Sequence, residues 1–498
     1  MVLEALPRAL TVAGGHDTLT LELRGYSLWL YEEQRNEIGM PESTSTLPDP
    51  LPVGKARRNR RAKIAIIGGG SAYCAGLMRA FAHHAQAFQG CHITLTDIDR
   101  DGLELIYTLG TKFLRNAGAD LTLERTTDRH IALDGADFVL TSFRTGGLPA
   151  RRLDEKIPLR HGLIGQETVG AGGFFYALRT VPVVAEIAWE MEKVAPNAFL
   201  LNYTNPSNIV TEAIAHCSFT KIIGMCDGPM HEVARMAAQA GISLSDGQRL
   251  YHRTVGLNHG NWTTAVWREG VDILPEIVSW CQRYLATNPP MTQENYPFVM
   301  IATLTARYGA IPSEYMHYYY FPEKVLEFYR QKPTSRAEDI MAILPEILQH
   351  YREEAQKDVP QLTKVRGGGG FGDFALDVLR SILNNTGEEW VLNVPNRGTI
   401  GFLPNDRVIE APCRVDARGA TPFVQGDGGI SLDQRGLIYL LSEFEGATAQ
   451  VALHGTRRNA IKALAANPLV MSYSKAEAVY DDLAAAHAPY LPERLLRD

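Results

Sequence analysis

The feature that most constrains this chain is a short apolar run that ends in a cluster of glycines. Ile64-Ala65-Ile66-Ile67 leads directly into Gly68-Gly69-Gly70-Ser71 and then a helical stretch to about Phe88. An uninterrupted apolar run suits a strand covered on both faces, as in a parallel sheet. Such a strand is left by a crossover, and glycine tolerates the sharp exit. The pattern recurs downstream. His92-Ile93-Thr94-Leu95-Thr96 predicts a strand, 100–116 a helix, Asp137-Phe138-Val139-Leu140-Thr141 a strand and 181–194 an amphipathic helix. Ala198-Phe199-Leu200-Leu201 and Lys221-Ile222-Ile223-Gly224-Met225 complete the set. Short apolar strands separated by helices predict an α/β fold with a doubly wound parallel sheet.

In that setting the glycine turn is a candidate nucleotide site. Glycines let the backbone approach a pyrophosphate, and the helix N-terminus offers N–H groups and partial positive charge. Gly68, Gly70, Ser71 and Ala72 are the candidate contacts. Asp97 closes the second strand, near the position about 20 residues on where an acid accepts hydrogen bonds from the adenine ribose; a carboxylate there favours NAD over NADP. The turn departs from G-x-G-x-x-G by carrying Tyr73 at the third glycine position. From these residues alone, a tight strand–helix turn without nucleotide is the alternative.

Composition narrows the partners. The 498 residues carry a formal charge of −7 and a pI of about 6.1. A nucleic-acid binder shows a basic face or a domain pI above roughly 9, so no nucleic-acid partner is expected. No stretch approaches the ~18 apolar residues of a membrane span, and the first residues lack the pattern of a secretory signal. Six cysteines (74, 91, 217, 226, 281 and 413) are sparse and unpatterned, which suits a reducing compartment. A cytoplasmic enzyme is the expectation. The length predicts two to four domains. Residues 1–60 differ from the rest: an alternating segment at 19–23 predicts a strand, 40–55 is a proline-rich linker, and the basic run 55–63 reads as a solvated linker end.

Further motifs bear on chemistry. The chain contains Asp154-Glu155-Lys156-Ile157-Pro158-Leu159-Arg160-His161-Gly162, Ile164-Gly165-Gln166-Glu167-Thr168 and Asn202-Tyr203-Thr204-Asn205-Pro206. It also contains Gly224-Met225-Cys226-Asp227, Gly256-Leu257-Asn258-His259 and Ile311-Pro312-Ser313-Glu314-Tyr315. Alone, Cys226 and His259 read first as a buried thiol and a hydrogen-bonded histidine; as ligands, a mixed S/N pair would suggest zinc. Tyr315 is one of four tyrosines in its segment, and Asn205 could belong to a plain Asn-Pro turn. Taken in order with Gly68–Tyr73, these motifs resemble glycoside hydrolase family 4, the NAD- and metal-dependent glycosidases, over roughly 62–498. The 6-phospho-β-glucosidases are the subgroup most resembled.

That resemblance implies an NAD-binding Rossmann domain of the lactate/malate dehydrogenase type over 61–225, and a mixed α/β domain for metal and substrate over 226–498, behind a 1–60 extension. It implies a glycosidase that oxidises the sugar at C3, deprotonates C2, eliminates the C1 leaving group, adds water and returns the hydride. NAD and a divalent metal, manganese, are the implied cofactors. Cys226 and His259 would be the metal ligands, Tyr315 the C2 base and Asp154 a candidate acid. Asn205 would contact sugar or nicotinamide, and Arg144, Asp227 and Arg366 the substrate. Tyr315 has to be shifted from a phenol pKa near ~10 to act as a base, and nearby cationic side chains and the metal are expected to lower it. Two departures stand out. Asp227 replaces the family's usual Asn, and Gly369-Gly370-Phe371-Gly372-Asp373 replaces Ala-Tyr-Tyr-Ser. The resemblance implies a 6-phospho-β-glucoside as substrate. The loss of two tyrosines and a serine and the gain of an acid weigh against a 6-phosphate, which makes an unphosphorylated glycoside or glycuronide the alternative. An NAD-dependent sugar or hydroxy-acid dehydrogenase and a non-catalytic NAD- and sugar-binding sensor are the other classes. The expected partner is a small-molecule glycoside, the expected assembly a homodimer or homotetramer. Segments 280–330 and 385–425 are expected to be extended and partly irregular, forming cleft and subunit interface.

Overall fold

The computed structural model describes residues 61–244, 248–366 and 370–497. The expected strand at 19–23, the linker 40–55, most of the basic run and Gly367–Gly369 lie outside the described residues. The described residues form one compact unit.

Six strands carry the glycine-turn half: β1 (Lys63–Ile67), β2 (His92–Thr96), β3 (Thr122–Thr126), β4 (Phe138–Thr141), β5 (Phe199–Asn202) and β6 (Lys221–Gly224). All pair in parallel, in the order β3-β2-β1-β4-β5-β6. This is the dinucleotide-binding order, with a crevice where it reverses between β1 and β4. The apolar run of β1 is covered on both faces. Ile64 and Ile66 pack into one core with Leu77 and Phe81, and Ala65 and Ile67 into another with Phe174 and Leu178. The polar strand β3 was not anticipated. Thr122–Thr126 is a largely exposed edge strand with no continuous apolar run.

A smaller antiparallel sheet holds β7 (Tyr251–Leu257), β8 (Gly260–Arg268), β9 (Val271–Asp272) and β10 (Ile311–Pro312). The strands β11 (Glu388–Pro395), β12 (Val408–Asp416) and β13 (Gly419–Pro422) then return to the first sheet. They extend it antiparallel from β6, through Asn393 opposite Gly224, to nine strands. The segment 385–425 is therefore extended, as expected.

The segment 280–330 corrects the expectation. It is mainly helical: Leu274–Ala286, Tyr296–Tyr308, Met316–Tyr320 and Pro322–Gln331, with only Ile311–Pro312 in a strand. Pro275, Pro297 and Pro322 each sit in the first turn of a helix, where no intrahelical N–H is required and the fixed φ suits the helix. The helix expected at 181–194 begins at Gly170 instead. A Cβ at Gly172 would lie 2.2 Å from the Gln166 carbonyl oxygen, and one at Gly173 2.2 Å from the Thr168 carbonyl carbon. Glycine costs ~1 kcal/mol per helical position relative to alanine. Burial of Phe174, Phe175 and Leu178 in the same turns, each worth roughly 1.5–3 kcal/mol, outweighs that cost. No described helix is long and apolar enough to cross a membrane.

Candidate active site

A cavity of about 860 Å³ opens at the C-terminal ends of the central strands. Gly68, Ser71, Asp97 and Asn205 line it. Gly68 holds φ at +95°, and a Cβ there would lie 2.3 Å from the Ser142 carbonyl oxygen, so only glycine fits. The Gly68 and Gly69 N–H groups both donate to the Thr96 carbonyl, at 3.0 and 2.9 Å. Asp97 accepts from the Gly70 N–H at 2.9 Å and from the Asp99 N–H at 3.0 Å. Ile98 stands 96% exposed at the rim, an apolar face of the kind a purine covers. Glycine turn, acid and apolar rim at the switch point fit a dinucleotide.

Gly70 and Ala72 depart from expectation: neither lines this cavity. A Cβ on Gly70 would lie 2.8 Å from the Leu103 backbone nitrogen, so this glycine serves close packing against the helix Arg100–Asn116. The Ala72 carbonyl accepts from the Tyr351 hydroxyl at 3.1 Å.

A second cavity, of about 1100 Å³, is lined by Arg151, Glu167, Tyr315, His317, Ser335, Arg336 and Arg366 among others. Tyr73 lines both cavities, and the Arg366 guanidinium lies 4.9 Å from the centre of its ring. The residue at the third glycine position is thus a shared wall.

Cys226 follows β6 and lines the nucleotide cavity. His259 sits in the turn between β7 and β8 at φ +64°. The Cys226 Sγ and His259 Nε2 atoms lie 3.9 Å apart, and the His259 ring stacks on Tyr315, centroids 3.6 Å apart and 9° from parallel. Three residues distant in sequence thus converge. Burial lowers the His259 pKa to about 3, leaving a neutral imidazole, the ligand form. Burial, then Glu410 and Asp227, push the Cys226 thiol up; a bound cation favours the thiolate. Among the described residues no group of three or more His, Cys, Asp and Glu side chains could hold a metal. One sulfur and one nitrogen, with further positions left to substrate or water, fit an open catalytic site and not a closed structural one.

Burial raises the Tyr315 pKa well above 10, and Glu167, Cys226 and Glu314 raise it further, against Arg151. Cationic side chains therefore do not prevail at this phenol, contrary to expectation.

Two further expectations are corrected by counter-charges. Asp154 is 0% exposed. Arg179 binds both of its oxygens, one at 2.9 Å, and His487 Nε2 lies 2.9 Å away. With no path to a leaving group, Asp154 ties its helix Gly147–Arg160 to the helix Gly170–Val194. Arg144 lines the nucleotide cavity and not the second one, and Glu167 pairs with it. The other Glu167 oxygen takes Arg151 at 2.9 Å, and Arg151 reaches Glu155 at 2.7 Å. Arg144 is thus neutralised within the protein.

Asp227 lines the nucleotide cavity and pairs with His231 at 3.3 Å. Arg366 differs from Arg144. No carboxylate stands within ion-pair distance of it or of Arg336 among the described residues, and burial and the neighbouring Arg151 and Arg336 lower its pKa. Asp373 pairs with His84 at 3.3 Å and lines neither cavity. The acid taken to oppose a 6-phosphate therefore faces elsewhere.

Sequence reasoning missed Arg336 and His317. Ser335 caps the helix Arg336–Gln356 in a capping box with Glu338, a Ser-x-x-Glu signal readable in the sequence. It directs a helix N-terminus and Arg336 into the second cavity. His317 Nδ1 bonds the Glu314 carbonyl, while its buried Nε2 has no hydrogen-bond partner.

Fold and cavities together fit a dinucleotide-dependent enzyme, with a sulfur–nitrogen pair at the nucleotide cavity and a phenol in the polar cavity beside it. The profile of the family 4 glycosyl hydrolases matches residues 63–242, and that of their C-terminal domain residues 254–470. A 6-phospho-β-glucosidase of Escherichia coli (strain K12) is 33% identical over 446 residues, 87% of this chain and 97% of that protein. A 6-phospho-α-glucosidase from gut microorganisms, solved with NAD and Mn²⁺, superposes with a TM-score of 0.78 at 26% identity, covering 87% of this chain and 99% of that one. The 6-phospho-β-glucosidase of Thermotoga maritima, solved with NAD and glucose-6-phosphate, gives 0.77 at 27% identity over the same shares. The chain belongs to glycosyl hydrolase family 4, the NAD- and metal-dependent glycosidases. Family membership favours the glycosidase over the dehydrogenase.

Proposed function

We propose that this enzyme hydrolyses glucosides carrying a phosphate on C6, with NAD and manganese as cofactors. The observation that carries this reading is the pair Arg336 and Arg366. Two guanidinium groups without carboxylate partners share the cavity of Tyr315, beside a helix N-terminus, and such a place favours an anion.

The division of labour follows the chain. Residues 61–225 hold the nucleotide, through Gly68, Ser71, Asp97 and Asn205; residues 226–498 supply the metal ligands Cys226 and His259. When bound, the nucleotide would supply a hydride acceptor and the metal, held by Cys226 and His259, a Lewis acid. Tyr315, held flat against His259, removes the C2 proton. Its surroundings keep the phenol protonated in the free protein, so its activation depends on the cation. His317 Nε2 offers one hydrogen bond to a sugar hydroxyl, and Asp227 accepts from another. The chain Arg144–Glu167–Arg151–Glu155 holds the wall between the cavities. All six cysteines are free thiols, which supports a reducing, cytoplasmic setting for the Cys226 ligand. A homodimer or homotetramer is the proposed assembly, and exposed Phe423, Val424, Leu432 and Tyr439 support further association.

The test is a panel of α- and β-aryl glucosides, with and without the 6-phosphate, assayed with NAD⁺, Mn²⁺ and a thiol reductant. Turnover restricted to phosphorylated members, with no build-up of NADH, is expected. Turnover restricted to unphosphorylated glycosides or glycuronides would overturn the phosphate assignment, and stoichiometric NADH the hydrolytic one.

A further inference from the structure

Glu410 is buried at 0% exposure in β12. Its neighbour in register on β11 is Asn393, and that of Asn393 on β6 is Gly224, two residues before Cys226. Each oxygen of Glu410 is used. Oε1 accepts from Asn258 Nδ2 at 3.0 Å, and Oε2 from Asn261 Nδ2 at 2.6 Å. These two asparagines bracket the turn that carries His259, and Asn261 also donates to the Leu257 carbonyl at 3.3 Å. One carboxylate therefore ties down both sides of a two-residue turn, in which His259 holds a left-handed backbone uncommon outside glycine.

No cationic side chain stands within ion-pair distance of Glu410 among the described residues, so the two asparagine amides are what satisfies this buried carboxyl group.

We propose that Glu410 is the positioning residue of the metal site: it holds the His259 turn in place through Asn258 and Asn261. This rests on the reading of Cys226 and His259 as the metal ligands. Outer-shell carboxylates that orient a ligating histidine typically change metal affinity 10–100-fold when removed. Glu410→Gln keeps the shape and sets an amide donor against an asparagine donor.

The test measures Mn²⁺ affinity, by the paramagnetic resonance signal of free Mn²⁺, and NAD⁺ affinity, by calorimetry. The full chain and its Cys226→Ser, Glu410→Gln, Glu410→Asp and Asn261→Ala variants are compared. Glu410→Gln is expected to weaken Mn²⁺ binding 10–100-fold with NAD⁺ affinity within twofold of the parent. Glu410→Asp, which keeps the carboxyl group, should recover part of the loss. Asn261→Ala keeps the carboxylate and should weaken Mn²⁺ severalfold; it carries the test if Glu410→Gln does not fold. Mn²⁺ affinity unchanged in folded Glu410→Gln, or in Asn261→Ala should that be the one that folds, while Cys226→Ser loses it, would overturn the role of Glu410 alone. Mn²⁺ affinity unchanged in Cys226→Ser would overturn the metal reading and this proposal together.

Discussion

Tyr315 lies against a neutral imidazole and among anionic neighbours, so its reactivity depends on a cation that the protein binds and does not itself carry. Tyr315→Phe is expected to lower kcat by about 10²–10⁴-fold, the span of general base catalysis, and to abolish solvent deuterium incorporation at C2, read by NMR of the product. Normal incorporation would move the base elsewhere. Arg366→Ala and Arg336→Ala should each raise KM for a 6-phosphorylated glucoside by roughly 10–100-fold, the worth of a charge-assisted hydrogen bond, with kcat little changed. An equal effect on a neutral glucoside would deny them the anion. At this scale the sequence identified Cys226, Tyr315, Gly68 and Arg366 as candidates that the fold brings to the cavities, and His259, which stacks on Tyr315 beside Cys226. It could not read what Asp154 and Arg144 pair with, because a residue's availability depends on its neutralising partner. Those partners, Arg179 and Glu167, come from other segments.

Among elements, the segment Gly162–Gly173 shows how glycine spacing records contact. A Cβ at Gly165 would lie 1.7 Å from the Glu155 carbonyl oxygen, so the loop passes directly over the helix Gly147–Arg160. Gly165→Ala is expected to lower the thermal midpoint sharply or prevent soluble expression, because backbone must move. A midpoint within 1–2 °C of the parent, against the ~2–4 °C that 1 kcal/mol shifts even in larger domains, would refute that contact. Buried strands such as β1 and β5 were legible because parallel strands covered on both faces need unbroken apolar runs. The edge strand β3 was not, since one face meets water. The helices within 280–330 were hidden by prolines at their first turns, where the residue that usually ends a helix begins one.

Across the whole molecule, buried acids link the two halves and set a pH dependence. Glu212, 1% exposed on the helix Ser207–Cys217, accepts from the Val408 N–H at 3.0 Å and so joins that helix to β12. Burial raises its pKa from 4.5 to about 7. The folded state then binds more protons than the unfolded state between those values, so this group's favourable contribution is complete below about 4.5 and lost as pH rises through about 7. The shift corresponds to on the order of 3 kcal/mol. Denaturant titrations at pH 5 and pH 7.5 should show the parent losing more stability than Glu212→Gln over that interval; identical losses would contradict the raised pKa. The sequence by itself determined the α/β class, the switch-point nucleotide site and the order of the motifs, because apolar runs, glycine turns and ligand-type residues are local properties. Only the tertiary structure decided which charges are spent and which are free, that the His259 turn hangs from Glu410, and that the phenol meets the histidine. Each of these depends on distances between segments far apart in the chain, and no local pattern encodes such a distance.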